Sequence, residues 1–259
     1  MRETCVLNDT TSLFTNDLET SYEKTTTLFV VLFTLVTMII LYLPVFYPTL
    51  NMSSVQLVHS THEGEELIAY MARVSNPANQ DNRDYTKLIR YLIKHKHWSP
   101  FEMVSMCVEI KTTRSIAAQI LRHRSFSFQE FSQRYSQVET FPVVPNWRGQ
   151  DDKNRQNSID NIEPIAKAEF DIKTQFLFDH AWGLYSELLT AGVAKECARE
   201  VLPLCTPTKM YMHGTLRSFL HYCDLRCGNG TQKEHKQIAD AIKDIIFDEY
   251  PCVYEAMWS

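Results

Sequence analysis

Five basic residues gather between positions 111 and 136: Lys111, Arg114, Arg122, Arg124 and Arg134, opposed by the single acid Glu130. This is the strongest local charge bias in a chain whose formal net charge is −5. Gln119, Arg122 and His123 fall at i, i+3 and i+4, which puts them on one helical face. A guanidinium fork suits phosphate, and an amide beside it suits the edge of a base or a ribose. Ser132 and Arg134 follow in a loop, where ligand contacts are usually made. The chemistry these residues point to is an anion site for a phosphate that carries a heterocycle. Two other readings stand beside it. The cations could complement the carbonyls at a helix C-terminus. Alternatively, Phe126, Phe128, Phe131 and Tyr135 could stack on nucleic-acid bases. Four or five charges at one site give only a weak, salt-sensitive grip on nucleic acid, and no second patch extends the stripe. The aromatics are therefore assigned to the core, and no nucleic-acid partner is expected.

Other chemistries lack their residues. There is no Gly-rich phosphate loop, and Gly228-x-Gly230 alone makes no dinucleotide fingerprint. Cys223 and Cys227, with His221 and His235 nearby, do not complete a zinc ligand set; they read as helix-face thiols, and no metal is expected. No nucleophile elbow or other serine-hydrolase signature occurs.

Arg122-His123-Arg124, seven residues and then Ser132 form the stretch RHRSFSFQEFSQRYS. It resembles the signature of the flavin-dependent thymidylate synthases. Further blocks resemble that family in the family's order: Ala72-Arg73-Val74-Ser75, His97-Trp98-Ser99-Pro100-Phe101-Glu102, Gly192 to Pro203, and Leu216-Arg217-Ser218 to Leu225-Arg226. They lie within residues 55–258. The resemblance implies a mixed α/β domain, α+β in class, with a central sheet flanked by helices. It implies conversion of dUMP to dTMP, with 5,10-methylenetetrahydrofolate as carbon donor, NADPH as reductant and bound FAD as cofactor. It also implies a homotetramer, and no cysteine nucleophile; no cysteine falls inside the signature.

Carried over, Arg122, His123 and Arg124 would hold FAD, with Ser99 beside them. Thr215, Leu216, Arg217 and His221 match the later flavin-binding stretch. Gln119, Arg122 and Arg199 would face dUMP, and Glu130 would contact both ligands. Phe131, Ser132, Gln133 and Arg134 would wrap the nucleotide. Arg226 matches the arginine set against the uracil ring, the catalytic position. Two departures stand out: Gln129 where many members have Asn, and Gly228-Asn229-Gly230 where some place a histidine.

The elements that must position these residues are legible from residue 52 onward. Leu67, Ile68, Met71 and Val74 have helical spacing, as do Leu88, Ile89, Leu92 and Ile93. Val104, Met106, Val108 and Ile110 alternate as in a strand. Ile116, Ala117, Ile120 and Leu121 suggest a helix ending near Arg124. A polar loop runs to about 163. Ile165, Ala168, Ile172, Phe176, Leu184 and Leu188 form a long helical stripe that stops at Gly192. Thr231 to Glu234 reads as a capping box before Ile238, Ile242, Ile245 and Ile246, and Pro251 follows that helix. The 259 residues, 44% apolar and 22% charged, exclude a disordered or low-complexity chain. Seven cysteines in a chain this long suit reduced intracellular thiols.

Residues 1–51 stand apart, with two basic and five acidic residues. No charged residue occurs between Lys24 and Glu63. Leu28 to Tyr47 is long enough, at about 30 Å as a helix, to cross a bilayer's hydrocarbon core. It is either a single-pass membrane anchor, or part of an upstream extension preceding a true start at Met52. A cleaved signal peptide would start earlier and show a small-residue cleavage site. The expected organisation is an extension over 1–51 and one catalytic domain over 52–259, with that domain in the cytoplasm.

Overall fold

The computed structural model describes residues 53–259. The apolar segment 28–47 and the boundary at 51/52 lie outside the described residues. Strand β1 (Ser54–Ser60) leads into helices α1 (Gly64–Ala72) and α2 (Thr86–Lys94). A 3-10 turn over Ser99–Glu102 precedes β2 (Ser105–Thr113), α3 (Arg114–Ile120) and β3 (Ser127–Glu130). A small hairpin pairs β4 (Gly149–Gln150) with β5 (Ser158–Ile159). Then come α4 (Pro164–Thr190), α5 (Lys195–Ala198), β6 (Pro207–Thr215), α6 (Leu216–Arg226), α7 (Lys233–Glu249) and α8 (Pro251–Trp258).

The main sheet has the order β1-β2-β6-β3, with every neighbouring pair antiparallel. Strand alternation makes it two-faced. Met106, Val108, Ile110, Met210 and Met212 are buried, and they meet Ile68, Ile89, Ile116, Ile120, Phe219, Ile238, Ile242 and Ile246 from the helices. Lys111, Lys209 and His213 alternate with them and are exposed. The fold is α+β, as expected. β3 pairs Ser127 with His213 and Glu130 with Met210, so four residues of the signature form a sheet edge. Gly214 permits this close approach, because a Cβ there would lie 2.5 Å from a ring carbon of Phe126.

Four expectations need correction. First, α3 stops at Ile120 rather than near Arg124, because the amides of Arg122 and His123 turn back to the carbonyls of Gln119 and Ile120. Second, α4 exists and ends before Gly192 at φ 81°, as expected, but of its apolar stripe Leu188 packs on a core cluster while most of the other positions are exposed. Ile165 is 79% exposed and Ile172 61%, with Phe176 and Leu184 also exposed; Phe178 and Tyr185 are the buried positions. Tyr185 packs in a small second core with Val138 and Ala198, its hydroxyl accepting from the Val138 N–H at 2.9 Å. Third, no capping box starts α7: the cap residue Gln232 makes no side-chain bond to the helix amides, and Glu234 is held instead by Arg148. Fourth, Tyr135 is 84% exposed rather than in the core; Phe126 and Phe128 do pack against it.

Candidate active site

The end of α3, the turn after it, and helices α6 and α7 meet at one place. The α3 helix delivers Gln119 in its last turn, and the turn delivers Arg122, His123 and Arg124. The α6 helix has eleven residues, so Arg226 at its far end lies about 15 Å along the axis from Leu216. There Arg226 Nε donates to His123 Nε2 at 3.0 Å. For that bond His123 must be neutral, with its proton on Nδ1. Burial, the Arg226 charge and His221 together lower the His123 pKa to about 4. The imidazole therefore acts as a fixed acceptor that aims a permanent cation. Beneath it the ring of Tyr222 packs edge-on, 4.9 Å between centroids.

The signature's cations differ in what they already hold. Arg114 is paired with Glu130 at 2.7 Å, and Thr208 donates to the same carboxylate oxygen at 2.9 Å. Arg134 is paired with Glu196 at 2.9 Å. Arg217 is paired with Glu102, which places the start of α6 against the turn that carries Ser99. Arg199 bonds the carbonyl of Glu196 and the carboxylate of Glu200, both at 3.3 Å. By contrast, Arg122 and Arg124 are exposed and have no ion-pair partner among the described residues. Two arginines two residues apart in the chain, with no ion-pair partner among the described residues, suit a phosphate or pyrophosphate.

The structure thus brings Gln119, Arg122, His123, Arg124 and Arg226 together. Glu130, Arg134 and Arg199 are engaged elsewhere, by Arg114, Glu196 and Glu200, and among the described residues no hydrogen bond links them to the Arg226 cluster. Leu216 is fully buried and its N–H bonds the Val104 carbonyl at 2.7 Å, so its side chain belongs to the core. Thr215 caps α6, accepting from the Ser218 N–H at 3.3 Å. Ser99, Ser132 and His221 are exposed, and Phe131 leans on the second core. Gln133 is buried with an amide nitrogen that has no partner. Cys223 is buried on α6 and its thiol meets the Ala239 carbonyl at 3.7 Å.

Comparison with known proteins shows the family. The family model "Thymidylate synthase complementing protein" matches residues 56–252. A probable flavin-dependent thymidylate synthase of Paramecium bursaria Chlorella virus 1 is 50% identical over 202 residues, covering 78% of this chain and 94% of the relative. A flavin-dependent thymidylate synthase of Synechocystis is 51% identical over 193 residues, covering 74% and 89%. The solved structure of PolB, a UMP/dUMP methylase from Streptomyces cacaoi bound with 5-Br dUMP, superimposes with a TM-score of 0.71 at 27% identity, covering 79% of this chain and 93% of that one. This chain belongs to the flavin-dependent thymidylate synthases.

Within that family's frame, one layer of the site is invisible to motif reading. His235 on α7 is fully buried, 3.0 Å from the Tyr222 hydroxyl and 3.3 Å from Gln119 Oε1. Its sequence signal was available. His235 precedes Ile238, Ala239 and Ile242 by three, four and seven residues, so it sits on the buried stripe of α7. Arg148 has no such signal, because loop 131–163 brings it to Glu234 only through the tertiary fold.

Proposed function

We propose that this chain forms dTMP from dUMP by reductive methylation, with FAD as cofactor, 5,10-methylenetetrahydrofolate as carbon donor and NADPH as reductant. The observation that carries the reading is the Arg226 guanidinium, aimed by a neutral His123 beside the unpaired Arg122 and Arg124. Those two guanidiniums fit the pyrophosphate of FAD, and Ser99, Thr215, Arg217 and His221 would add further contacts to the flavin. FAD, when bound, supplies the hydride and one-carbon chemistry.

What the chain's own residues do follows from charge. Carbon 5 of uracil must become electron-rich to accept the one-carbon unit. A cation fixed beside the ring favours loss of the ring N–H proton, lowering that pKa by about 1–3 units. The same charge then stabilises the anion as it develops, without a covalent bond to the protein. Arg199, Ser132, Gln133 and Arg134 hold the nucleotide, Glu130 contacts both ligands, and Gln119 faces dUMP.

The active form is a homotetramer. Support comes from the exposed apolar stripe of α4 and from the separation of Glu130, Arg134 and Arg199 from the Arg226 cluster within one chain. The catalytic domain is 52–259, and its substrates place it in the cytoplasm. Among the described residues no helix is long and apolar enough to cross a membrane.

The test is dTMP formation by purified protein with dUMP, methylenetetrahydrofolate, NADPH or FAD omitted in turn, and with UMP in place of dUMP. Product is expected only when all four components are present. Formation of dTMP at full rate by flavin-free protein would overturn the reading.

A further inference from the structure

A chain of polar groups runs behind the site, and one ion pair fixes the direction of every bond in it. Arg148 grips Glu234 with both terminal nitrogens, at 2.7 and 3.0 Å, and its Nε donates to Ser158 at 2.8 Å. Arg148's charge and hydrogen bonds oppose the burial of Glu234 and leave its carboxyl pKa lowered, so it is ionised and can only accept. Gln232 Nε2 must therefore donate to Glu234, at 3.0 Å. This leaves Gln232 Oε1 to accept, and Gln119 Nε2 donates to it at 2.7 Å. Gln119 Oε1 is then the end that faces His235 Nδ1, which must carry the imidazole proton. His235 Nε2 is left as an acceptor for the Tyr222 hydroxyl. Flipping Gln119 would require flipping Gln232, and that would set an oxygen against the Glu234 carboxylate.

We infer that His235 is a positioning residue: with Gln232 it locks the Gln119 carboxamide in one orientation, and the Arg148–Glu234 pair chooses that orientation. The half-buried Gln119 is left with one free N–H and one free oxygen lone pair, a donor–acceptor pair of fixed sense for the nucleotide. The inference rests on the reading that Gln119 faces dUMP. Arg226 and His123 near the His235 ring, together with its burial, hold it neutral, with a pKa of about 4.

The test uses FAD-loaded, full-length protein and measures dUMP binding, kcat and KM, flavin binding, and the His235 tautomer by nitrogen-15 NMR. His235→Leu and Gln119→Ala should each weaken dUMP binding about tenfold, the scale of one hydrogen bond. Flavin binding should stay within twofold. His235→Asn, whose amide nitrogen overlays Nδ1, should recover most of the loss. His235→Gln, whose amide reaches the Nε2 position, should not. His235→Leu should add nothing in a Gln119→Ala background. The NMR should show the proton on Nδ1 in the parent and a mixture of tautomers in Glu234→Gln. If His235→Gln bound dUMP like the parent and His235→Asn did not, the positioning role would be wrong; the Asn–Gln comparison stands even if His235→Leu fails to fold. If Gln119→Ala bound dUMP like the parent while the tautomer result held, the polar chain would stand and the placing of Gln119 against dUMP would fall.

Discussion

Arg226 and His123 form a pair in which the uncharged partner does the aiming. An acid in place of His123 would aim Arg226 equally well but would neutralise it; an imidazole with a pKa near 4 leaves the cation's charge available to the uracil ring that the proposed function sets against it. Arg226→Ala should therefore lower kcat by a factor on the order of a hundred or more while flavin binding persists. Arg226→Lys should recover part of it, because an ammonium lacks the planar fork. Rates at saturating dUMP on flavin-loaded protein check this, and a parental rate for Arg226→Ala would make it a structural cation. Ser132 is the opposite case. No relay reaches it, and a hydroxyl is a weak nucleophile without a base. Ser132→Ala should weaken dUMP binding yet leave measurable dTMP formation; a productive covalent Ser132–uracil adduct, sought by mass spectrometry, would sink this. The neutral histidines also set a pH dependence. The unfolded chain protonates His123 and His235 near pH 6.5, whereas the folded chain resists until about pH 4. Unfolding thus takes up protons in that window, and their contribution to stability falls as pH drops through it, by at most about 1.4 kcal/mol per pH unit for the buried His235 and by less for the half-exposed His123, where solvent screens the charge. His235→Asn should remove one proton's share of that slope, measured by chemical denaturation between pH 6.5 and 4.

At the scale of elements, the site depends on how closely β3 can lie against β6 and how firmly α7 is held to the loop before it. Gly214 on β6 sits under Phe126, with room for hydrogen but not for a methyl group. Gly214→Val should cost about 1–3 kcal/mol through overpacking, and it should loosen the turn that carries His123. Thermal melts and flavin affinity would show both effects; a parental melting point and affinity would mean that the ring simply moves aside. The α6 helix is anchored at its start by the Thr215 cap and by the Leu216 N–H bond to Val104. Its length then decides where Arg226 stands. Motif reading gives the residue type at 226, but the helix gives the lever arm.

The molecule as a whole leaves a large apolar stripe of α4 in the open. Ile165 is 79% and Ile172 61% exposed, and among the described residues Phe178 and Tyr185 are the buried positions of this 27-residue helix, a pattern that calls for further cover. Ile165→Glu combined with Ile172→Lys should split the proposed tetramer and abolish dTMP formation while leaving the fold of each chain intact. Sedimentation and circular dichroism decide between that outcome and simple unfolding. The protein starting at Met52 should fold and turn over like the full chain. Loss of folding or activity on removing 1–51 would overturn the domain boundary.

The amino-acid order by itself determined the class of chemistry, the signature, and nearly every element with a strong period. The helices over 86–94 and 164–190 and the strand at 105–113 follow from spacing, because burial on one face repeats at the period of the backbone. The order also placed Gln119, Arg122, His123 and Arg124 together, since they lie within one helical turn and its exit. It did not show that His123 bonds Arg226, 103 residues away, or that Arg148, in the loop before β4, pairs with Glu234 on α7; those contacts have no period and arise only where separate elements cross. Nor could spacing tell which way the apolar stripe of α4 faces. An amphipathic helix encodes that it must be covered, whereas what covers it depends on how much core the rest of the chain has already filled.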